Sequence, residues 1–452
     1  MKKHFLQALF LFMVSAKLIA QNPVIQTMYT ADPAPMVHND TLFLYVGRDE
    51  DDAPKRYLMR EYRVFSTTDM VNWTAHKTPL ETSDFGWSTG DANASQCIGR
   101  DGKFYWYIST GNKQIRGVSV GVAVSGSPYG PFVDPLGKAL VSNDMTTFTT
   151  NTWDDLDPSV FIDDDGQAYL FWGNNACYWA KLNNDMVSLD GGIHALDIFD
   201  KSAFGPDFEE APWIYKRNDM YYLLYASGIP ESLHYTMSEN IEGPWKYQGV
   251  VMPIEGISGT NHPGVVDYKG NSYLFYHNAA LPEGHGNRRS VCVEQFMYNA
   301  DGTLPQMKMT EGIVKGVGTL NPFQWTEAET IAWAEGVKLD ADEKTGVFVT
   351  SIHNGDYIKV RDVNFGNGDT GKFTARVSCR YFGGNIELRL DKPDGELIGS
   401  LPIPYTGGWD AWELYSTDVQ NVNGVHDLYL VFKGSSPAQL FNFDYWQFEK
   451  SD

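Results

Sequence analysis

Four chemically reactive side chains stand at nearly the same distance before a recurring turn in this sequence. Asp32, Asp157, Glu210 and His262 each precede such a turn by seven or eight residues, and Asn93 holds the corresponding place in a fifth repeat. Two aspartates, a glutamate and a histidine can supply a general acid, a general base and hydrogen bonds to a substrate. If the repeats are arranged around one axis, these side chains meet in a single site.

The turns belong to a sequence unit that occurs five times. Each unit has a turn dipeptide followed by a strand rich in aromatic residues: Asn39-Asp40 before LFLYVG, Asp101-Gly102 before FYWYIS, Asp165-Gly166 before AYLFWG, Asn218-Asp219 before YYLLYA, and Lys269-Gly270 before SYLFYH. The turns recur at intervals of roughly 50 to 65 residues, which suits about four strands per unit. This pattern predicts a five-bladed β-propeller over 21–312, with equivalent positions at one mouth of its central channel.

A different pattern follows the last repeat. A glycine-rich stretch predicts a linker at 313–321, and residues 322–452 combine short strands with glycine-rich turns, which is typical of a β-sandwich of the jelly-roll type. No segment beyond the first 20 residues has helical periodicity. We therefore predict an all-β chain, a five-bladed β-propeller followed by a β-sandwich.

Residues 1–20 have the pattern of a secretory signal peptide. Lys2 and Lys3 precede an apolar run that is too short to span a bilayer, and small residues follow it. The first cysteine is Cys97, so no lipoprotein cysteine lies near the expected cleavage point. No later run approaches the length of a transmembrane helix. We expect a secreted or periplasmic protein without a membrane span.

The composition favours a neutral ligand. The formal net charge is −22, which repels nucleic acid and anionic membranes. Aromatic residues make up 14% of the chain, and their rings can stack on the faces of sugars, although they also fill propeller cores. Nucleic acid is therefore not an expected partner.

The acids at the predicted channel mouth suit glycoside hydrolysis, which needs a protonated and an ionised carboxyl group on either side of the scissile bond. Glu210 lies in the apolar segment FEEAPWI and is the predicted general acid, and Asp32 is the predicted general base. Asp157 is the predicted modulator, since its charge would raise the pKa of the acid. His262 would hold a water of a central ion or bind substrate. The alternative is that each Asp-Pro pair is a structural turn.

The segments TADPAP, DLDPSVFIDDDGQAYLFWGN, FEEAPWIYKRND and TNHPGVV resemble glycoside hydrolase family 43. The resemblance covers nearly the whole predicted propeller. It implies an inverting enzyme in which Asp32 is the base, Asp157 the modulator and Glu210 the acid. It also implies a central calcium near His262, contacted through water, and a substrate-binding role for Arg289.

One position departs from the family pattern. Many relatives have tryptophan where this chain has Asn93, and that tryptophan forms a wall for the bound sugar. Trp87, in DFGWSTGD, either replaces this wall in substrate binding or belongs to the core.

The segments WTEAET, HNGDYIKV, NIELRLDKPDGELIGS, TGGWDAW and FNFDYWQF resemble carbohydrate-binding module family 6. The resemblance implies that Trp409 and Asn442 bind glycan. Ser351 stands where relatives often have a second aromatic residue, and Tyr381 is a candidate replacement. The alternative is that this domain only braces the propeller.

The same resemblance implies a structural calcium ion in the sandwich. Its ligands would be Glu327, Glu329 and Asp444, whose oxygen atoms suit a hard cation.

Together these observations predict a secreted exo-acting glycoside hydrolase that removes arabinofuranose from arabinoxylan or arabinan, an α-L-arabinofuranosidase. The expected partners are plant cell-wall polysaccharides. The close alternative is a β-xylosidase acting on xylo-oligosaccharides, which the same three acids would serve. An alternative of a different class is a non-catalytic glycan-binding propeller.

Overall fold

Antiparallel strands form almost all of the regular structure of this chain. The computed structural model describes residues 22–53, 56–310, 312–313, 315–368 and 370–451, so the predicted signal peptide lies outside the described residues. The only helical elements described are a 3₁₀ turn, Thr82–Asp84, and a short α-helix, Lys201–Phe204. The all-β prediction is confirmed. In the described ranges no helix has the length and apolar character needed to cross a membrane.

Five consecutive antiparallel sheets form the blades of the predicted propeller, and in each blade the strands pair in chain order. The strands of blade 1 are Thr30–His38, Thr41–Asp49, Met59–Thr67 and Trp73–Ala75, with Leu80–Glu81 paired to the third. Those of blade 2 are Ser88–Arg100, Lys103–Asn112, Val118–Ser125 and Val141–Ser142. Those of blade 3 are Ser159–Ile162, Ala168–Trp172, Tyr178–Leu182 and Leu189–Ala195. Those of blade 4 are Glu210–Arg217, Met220–Ser227, Ser232–Ser238 and Lys246–Met252, and those of blade 5 are Gly264–Tyr268, Asn271–Asn278 and Ser290–Phe296.

The repeated turn dipeptides join the first two strands of the blades. In Asn39-Asp40, Asp101-Gly102, Asn218-Asp219 and Lys269-Gly270 both residues have positive φ, between 47° and 79°. Two-residue hairpin loops favour this backbone because its twist matches that of the flanking strands, and Asn, Asp and Gly adopt it most readily. The turn of blade 3 is longer, since Ile162 pairs with Ala168.

The start of the chain closes the ring of blades. Blade 5 has three strands, and the segment that precedes blade 1 runs beside the third. The N–H of Val24 donates to the carbonyl of Val291 at 2.9 Å, and the N–H of Val293 donates to the side chain of Asn22 at 2.9 Å. Val24 and Ile25 are buried in the core that blades 1 and 5 share.

Two sheets form the C-terminal sandwich and enclose a core of aliphatic and phenylalanine side chains. One sheet contains Thr326–Glu327, Lys338–Asp342, Gly346–Thr350, Thr370–Cys379, Gly408–Asp418 and Asn442–Lys450. The other contains Trp333–Glu335, Tyr357–Asn364, Gly384–Leu390, Leu397–Ile403 and Val425–Lys433.

One strand from the sandwich segment belongs to the propeller. Thr330–Ile331 pairs with Trp73–Ala75, so the sheet of blade 1 continues into the second domain. The backbone N–H and carbonyl of Arg361 also bond the side chain of Asn72, at 2.8 and 3.0 Å. Ile331 and Leu339 lie against Trp73 at this junction. These contacts support the alternative in which the sandwich braces the propeller, here at the blade that carries Asp32.

Ile331 belongs to the core of the sandwich and lies at the junction with Trp73, so we expect Ile331→Ala to destabilise the propeller as well as the sandwich, at a total cost of about 2–5 kcal/mol, the usual cost of removing a buried isoleucine. Calorimetry combined with pulse proteolysis, followed by mass spectrometry of propeller peptides, would measure it. Leu397→Ala is the matched control, since Leu397 is exposed on the same domain. Destabilisation confined to sandwich peptides would contradict the bracing role.

Candidate active site

The predicted residues converge on one cavity at a mouth of the channel. A cavity of about 570 Å³ is lined by one predicted residue from each blade or from the segment leading into it: Asp32, Asn93, Asp157, Glu210 and His262. Cavities of this size commonly hold small ligands. The repeat offset in the sequence thus corresponds to one place in the fold.

Irregular backbone turns the acids toward the cavity. In blades 1 and 4 the pairing register shifts where the acid lies, as it does at bulges that re-aim side chains. Asp32 and Asp157 have φ values of 54° and 58°, and Ala211, next to Glu210, has 60°. Left-handed backbone costs a non-glycine residue about 1–3 kcal/mol and is concentrated at functional sites.

Arg289 holds Asp32 in place. Its Nη1 donates to Oδ1 of Asp32 at 3.0 Å, while its Nη2 and Nε donate to the two carboxylate oxygens of Asp49 at 2.9 and 3.0 Å. All three side chains are buried. Burial raises the pKa of Asp32 to about 6, and the guanidinium opposes this rise by favouring the ionised form. Asp32 is therefore ionised at neutral pH, as a general base must be.

Asp157 connects blades 3 and 4. Its Oδ2 accepts a hydrogen bond from the N–H of Ala211 at 3.0 Å, and its own N–H donates to Oγ of Ser109 at 3.3 Å. Burial raises its pKa well above the usual range, and the charges of Glu210 and Asp32 raise it further. Asp157 thus lies within electrostatic reach of both other acids, as the position of a modulator requires.

Glu210 begins the first strand of blade 4 and faces the cavity. Nδ2 of Asn174 donates to its Oε2 at 2.6 Å, and the side chain of Glu231 is hydrogen-bonded to it as well. Burial raises the pKa of Glu210, and these two hydrogen bonds oppose the rise. The site thus combines a carboxyl group that is ion-paired to a guanidinium with one whose pKa burial raises.

Two neutral histidines complete the wall. Burial and the charge of Arg289 lower the pKa of His262 to about 3, so its ring can exchange hydrogen bonds with a sugar hydroxyl or a water. His277 has a pKa well below the usual range for the same two reasons. Its Nε2 lies 2.9 Å from the carbonyl of Thr260, and its Nδ1 accepts the N–H of Asp32 at 3.3 Å. His277 thereby fixes the backbone of Asp32.

The aromatic residues at the cavity differ from the predicted one. Trp87 is buried in the core, where its Nε1 donates to Asp134 at 3.2 Å, and it does not line the cavity. Trp153 lines the cavity and is 61% exposed. Tyr57 also lines it, with the guanidinium of Arg289 4.9 Å from its ring centre.

Some residues of the site that the offset before the turns does not identify have a signal of their own in the sequence. Asp49, Asn174 and His277 all lie at the end of an aromatic strand or just after it: LFLYVGRD, AYLFWGN and SYLFYH. Because the first two strands of a blade are antiparallel, the end of the second lies beside the start of the first. The residues downstream of each turn therefore belong to the same mouth as those upstream.

The sandwich has a cleft of about 660 Å³ lined by Trp409 and Asn442. Tyr381 meets Trp409 edge-on, with an interplanar angle of 87°, so the two rings do not form parallel walls. Oδ1 of Asn442 already accepts hydrogen bonds from Thr350 and Gln439, at 2.9 and 2.6 Å. A glycan that binds this amide must compete with those bonds.

The predicted calcium ligands of the sandwich interact without forming a metal cluster. Burial and the neighbouring charges of Glu327 and Asp444 raise the pKa of Glu329 well above its usual range. Its Oε2 is buried without a hydrogen-bond partner, whereas Asp444 forms an ion pair with Arg376. Throughout the described part of the chain no group of three His, Cys, Asp or Glu side chains is arranged to hold a metal ion. The donor types and the unpartnered oxygen nevertheless fit a hard cation.

Comparison with known proteins gives the family. Residues 20–304 match the family model of glycosyl hydrolases family 43, and residues 327–450 match that of the carbohydrate binding module (family 6). The arabinoxylan arabinofuranohydrolase of Paenibacillus polymyxa is 33% identical over 94% of this chain and 74% of its own length.

Two solved structures agree with this assignment. A family 43 arabinoxylan arabinofuranohydrolase from Bacillus subtilis, in complex with cellotetraose, is 30% identical with a TM-score of 0.83, covering 96% of this chain and 99% of its own. A family 43 β-xylosidase/α-arabinofuranosidase from a compost metagenome, solved with xylotriose in a calcium-free form, is 27% identical with a TM-score of 0.56, covering 64% and 97%. The chain, with its buried acids in one propeller cavity, therefore belongs to glycosyl hydrolase family 43 and is a glycoside hydrolase.

Proposed function

We propose that this enzyme is an inverting, exo-acting α-L-arabinofuranosidase that removes arabinofuranose from arabinoxylan. The observation that carries the proposal is the meeting of Asp32, ion-paired to Arg289, with Glu210, whose pKa burial raises, in one cavity. An ionised base and a protonated acid are the pair that this hydrolysis needs.

Each acid has a defined task in the reaction. Asp32 accepts a proton from water as the water oxygen attacks the anomeric carbon. Glu210 gives its proton to the glycosidic oxygen as the bond to that carbon breaks. The configuration inverts because attack and departure occur on opposite faces of the sugar. Asp157 holds the backbone beside Glu210 through the N–H of Ala211, and it lies near enough to Glu210 for the two carboxyl groups to interact electrostatically.

Two features support a polysaccharide substrate. The exposed ring of Trp153 at the edge of the cavity offers a flat surface on which a sugar of the main chain can stack. The sandwich offers Trp409 in a second cleft. The relatives from Paenibacillus polymyxa and Bacillus subtilis are both arabinoxylan arabinofuranohydrolases, which favours decorated xylan over arabinan.

We further propose that residues 1–20 are a cleaved signal peptide and that the enzyme acts outside the cytoplasm. The basic start and the short apolar run support this proposal. The enzyme would encounter plant cell-wall polysaccharides outside the cytoplasm.

The first test is to identify the monosaccharide released from wheat arabinoxylan, debranched arabinan and xylo-oligosaccharides. We expect arabinose from arabinoxylan, and chromatography would resolve it from xylose. Release of xylose alone would replace the proposal with a β-xylosidase. Binding without any turnover would replace it with a glycan-binding propeller.

Two variants serve as controls for that assay. Asp32→Ala should abolish release from every substrate, because no base remains. Glu210→Ala should abolish release from polysaccharide but leave some hydrolysis of activated aryl arabinofuranosides, whose leaving groups need little protonation.

The pKa of Asp32 predicts the acidic side of the pH profile. We expect kcat/KM to fall about tenfold per pH unit below pH 6, because protonated Asp32 cannot accept a proton from water. The profile should be measured with an aryl arabinofuranoside, and circular dichroism should confirm that the fold persists. If kcat/KM falls only near pH 4, the ordinary range of aspartate, burial does not raise the pKa of Asp32 as expected.

We propose that a structural calcium ion is held by Glu327, Glu329 and Asp444. The unpartnered Oε2 of Glu329 supports this site. Calcium should raise the melting temperature of the EDTA-treated protein, as any ligand specific to the folded state does, and should raise it much less in Glu329→Gln. Glu449→Gln, an exposed change in the last strand of the sandwich, is the control. Equal shifts in both variants would place calcium elsewhere.

A further inference from the structure

Glu231 lies behind the general acid and has no part in the mechanism described so far. It stands just before the third strand of blade 4 and is only 5% exposed. It is hydrogen-bonded to the side chain of Glu210, yet it is absent from the lining of the cavity. We call these two residues the acid pair. A buried glutamate that touches the acid and does not face the substrate requires an explanation.

Burial and the neighbouring Glu210 favour the neutral form of the Glu231 carboxyl group, and they outweigh the opposing hydrogen bond from the N–H of Asn261. Its Oε2 accepts a hydrogen bond from the backbone N–H of Asn261, and its carboxyl group is also hydrogen-bonded to Glu210. Its own N–H donates to the carbonyl of Gly259 at 3.1 Å, so the backbone is held on both sides. Two carboxyl groups in a hydrogen bond need at least one proton between them, since two adjacent buried anions repel strongly.

Titratable or charged side chains from several elements surround the acid pair, and Asp32 of blade 1 is one of them, beside Glu210. Asp157 of blade 3 lies near both Glu210 and Glu231. Glu209 adds negative charge beside Glu210. Arg289 supplies positive charge near Glu210, and Tyr57 lies near Glu231. Burial comes first among the causes that raise the pKa of each member. The charge of Glu210 raises the pKa of Glu231 further.

We infer that Glu231 is a positioning residue that remains protonated and donates a hydrogen bond to the carboxyl group of Glu210. The inference rests on the general-acid role of Glu210 proposed above. When Glu210 gives its proton to the glycosidic oxygen, the O–H of Glu231 remains directed at the carboxylate that forms. The hydrogen bond then becomes charge-assisted and stabilises the product of the proton transfer. Together with Nδ2 of Asn174, it fixes the orientation of the acid.

Two substitutions of Glu231 should have different effects on activity. Glu231→Gln keeps a neutral donor toward Glu210 and an acceptor for the N–H of Asn261, so it should keep most of the activity. Glu231→Ala removes the donor. It should lower kcat/KM on arabinoxylan oligosaccharides by about one to two orders of magnitude, which is the value of a hydrogen bond to a charged group. Its effect on a 4-nitrophenyl arabinofuranoside should be much smaller, because that leaving group needs little protonation.

The pH profile gives a reading that a purely structural role would not produce. Without the donor the carboxylate of Glu210 is less stabilised, so its pKa rises and the alkaline limb of kcat/KM should move to higher pH in Glu231→Ala. In Glu231→Gln the limb should stay near its wild-type position. Glu239→Ala, which removes an exposed glutamate of the same blade, controls for the loss of a surface charge.

The outcomes decide the question even if one variant is unstable. If Glu231→Gln is folded but has lost activity on both kinds of substrate, the neutral-donor role is wrong. It is equally wrong if Glu231→Ala is folded and loses both activities equally without a shift of the limb. If Glu231→Ala does not fold, wild-type-like activity of Glu231→Gln still supports the inference. A wild-type protein inactive on all pentosides would contradict the proposed function instead.

Discussion

The burial of several carboxyl groups around one cavity is the constraint on which this structure depends. Ions taken out of water must be paired, or they become neutral. Arg289 makes the environments of the acids different, because its guanidinium group forms ion pairs with Asp49 and Asp32 but not with Glu210. Asp32 thereby has a cation within hydrogen-bonding distance, whereas Glu210 has an amide and a second carboxyl group. A site made almost entirely of acids acquires two chemically different carboxyl groups in this way.

The sequence predicted the part of this site that follows from repetition. Each blade joins its first two strands by a short hairpin turn, so a nearly constant offset from the turn finds Asp32, Asp157 and Glu210 in three blades. Residues that act across blades or within loops carry no such offset. Glu231 reaches Glu210 from the turn before the third strand, and Trp153 enters from the connection between blades 2 and 3. Tryptophan in a strand-rich segment suits either a core or a subsite, and Trp87 belongs to the core.

The sandwich has a structural feature suited to each of the two roles that the sequence presented as alternatives. Its cleft contains Trp409, as expected of a module that binds glycans. Its strand Thr330–Ile331 extends the sheet of blade 1. The sequence could not reveal this pairing, because a two-residue strand has no periodicity and its partner lies about 250 positions earlier. Such a connection joins the two domains through backbone pairing as well as through side-chain packing.

The closing of the ring has a consequence for the order of events during biosynthesis. Asn22 bonds Val293, a contact between residues separated by 271 positions. Contacts between such distant positions form late, because a long loop must close before they stabilise anything. Until the ribosome has delivered blade 5, blade 1 lacks its neighbour and Asp32 lacks Arg289. The ion pair that positions Asp32 is therefore among the last parts of the active site to form, because it needs both ends of the propeller.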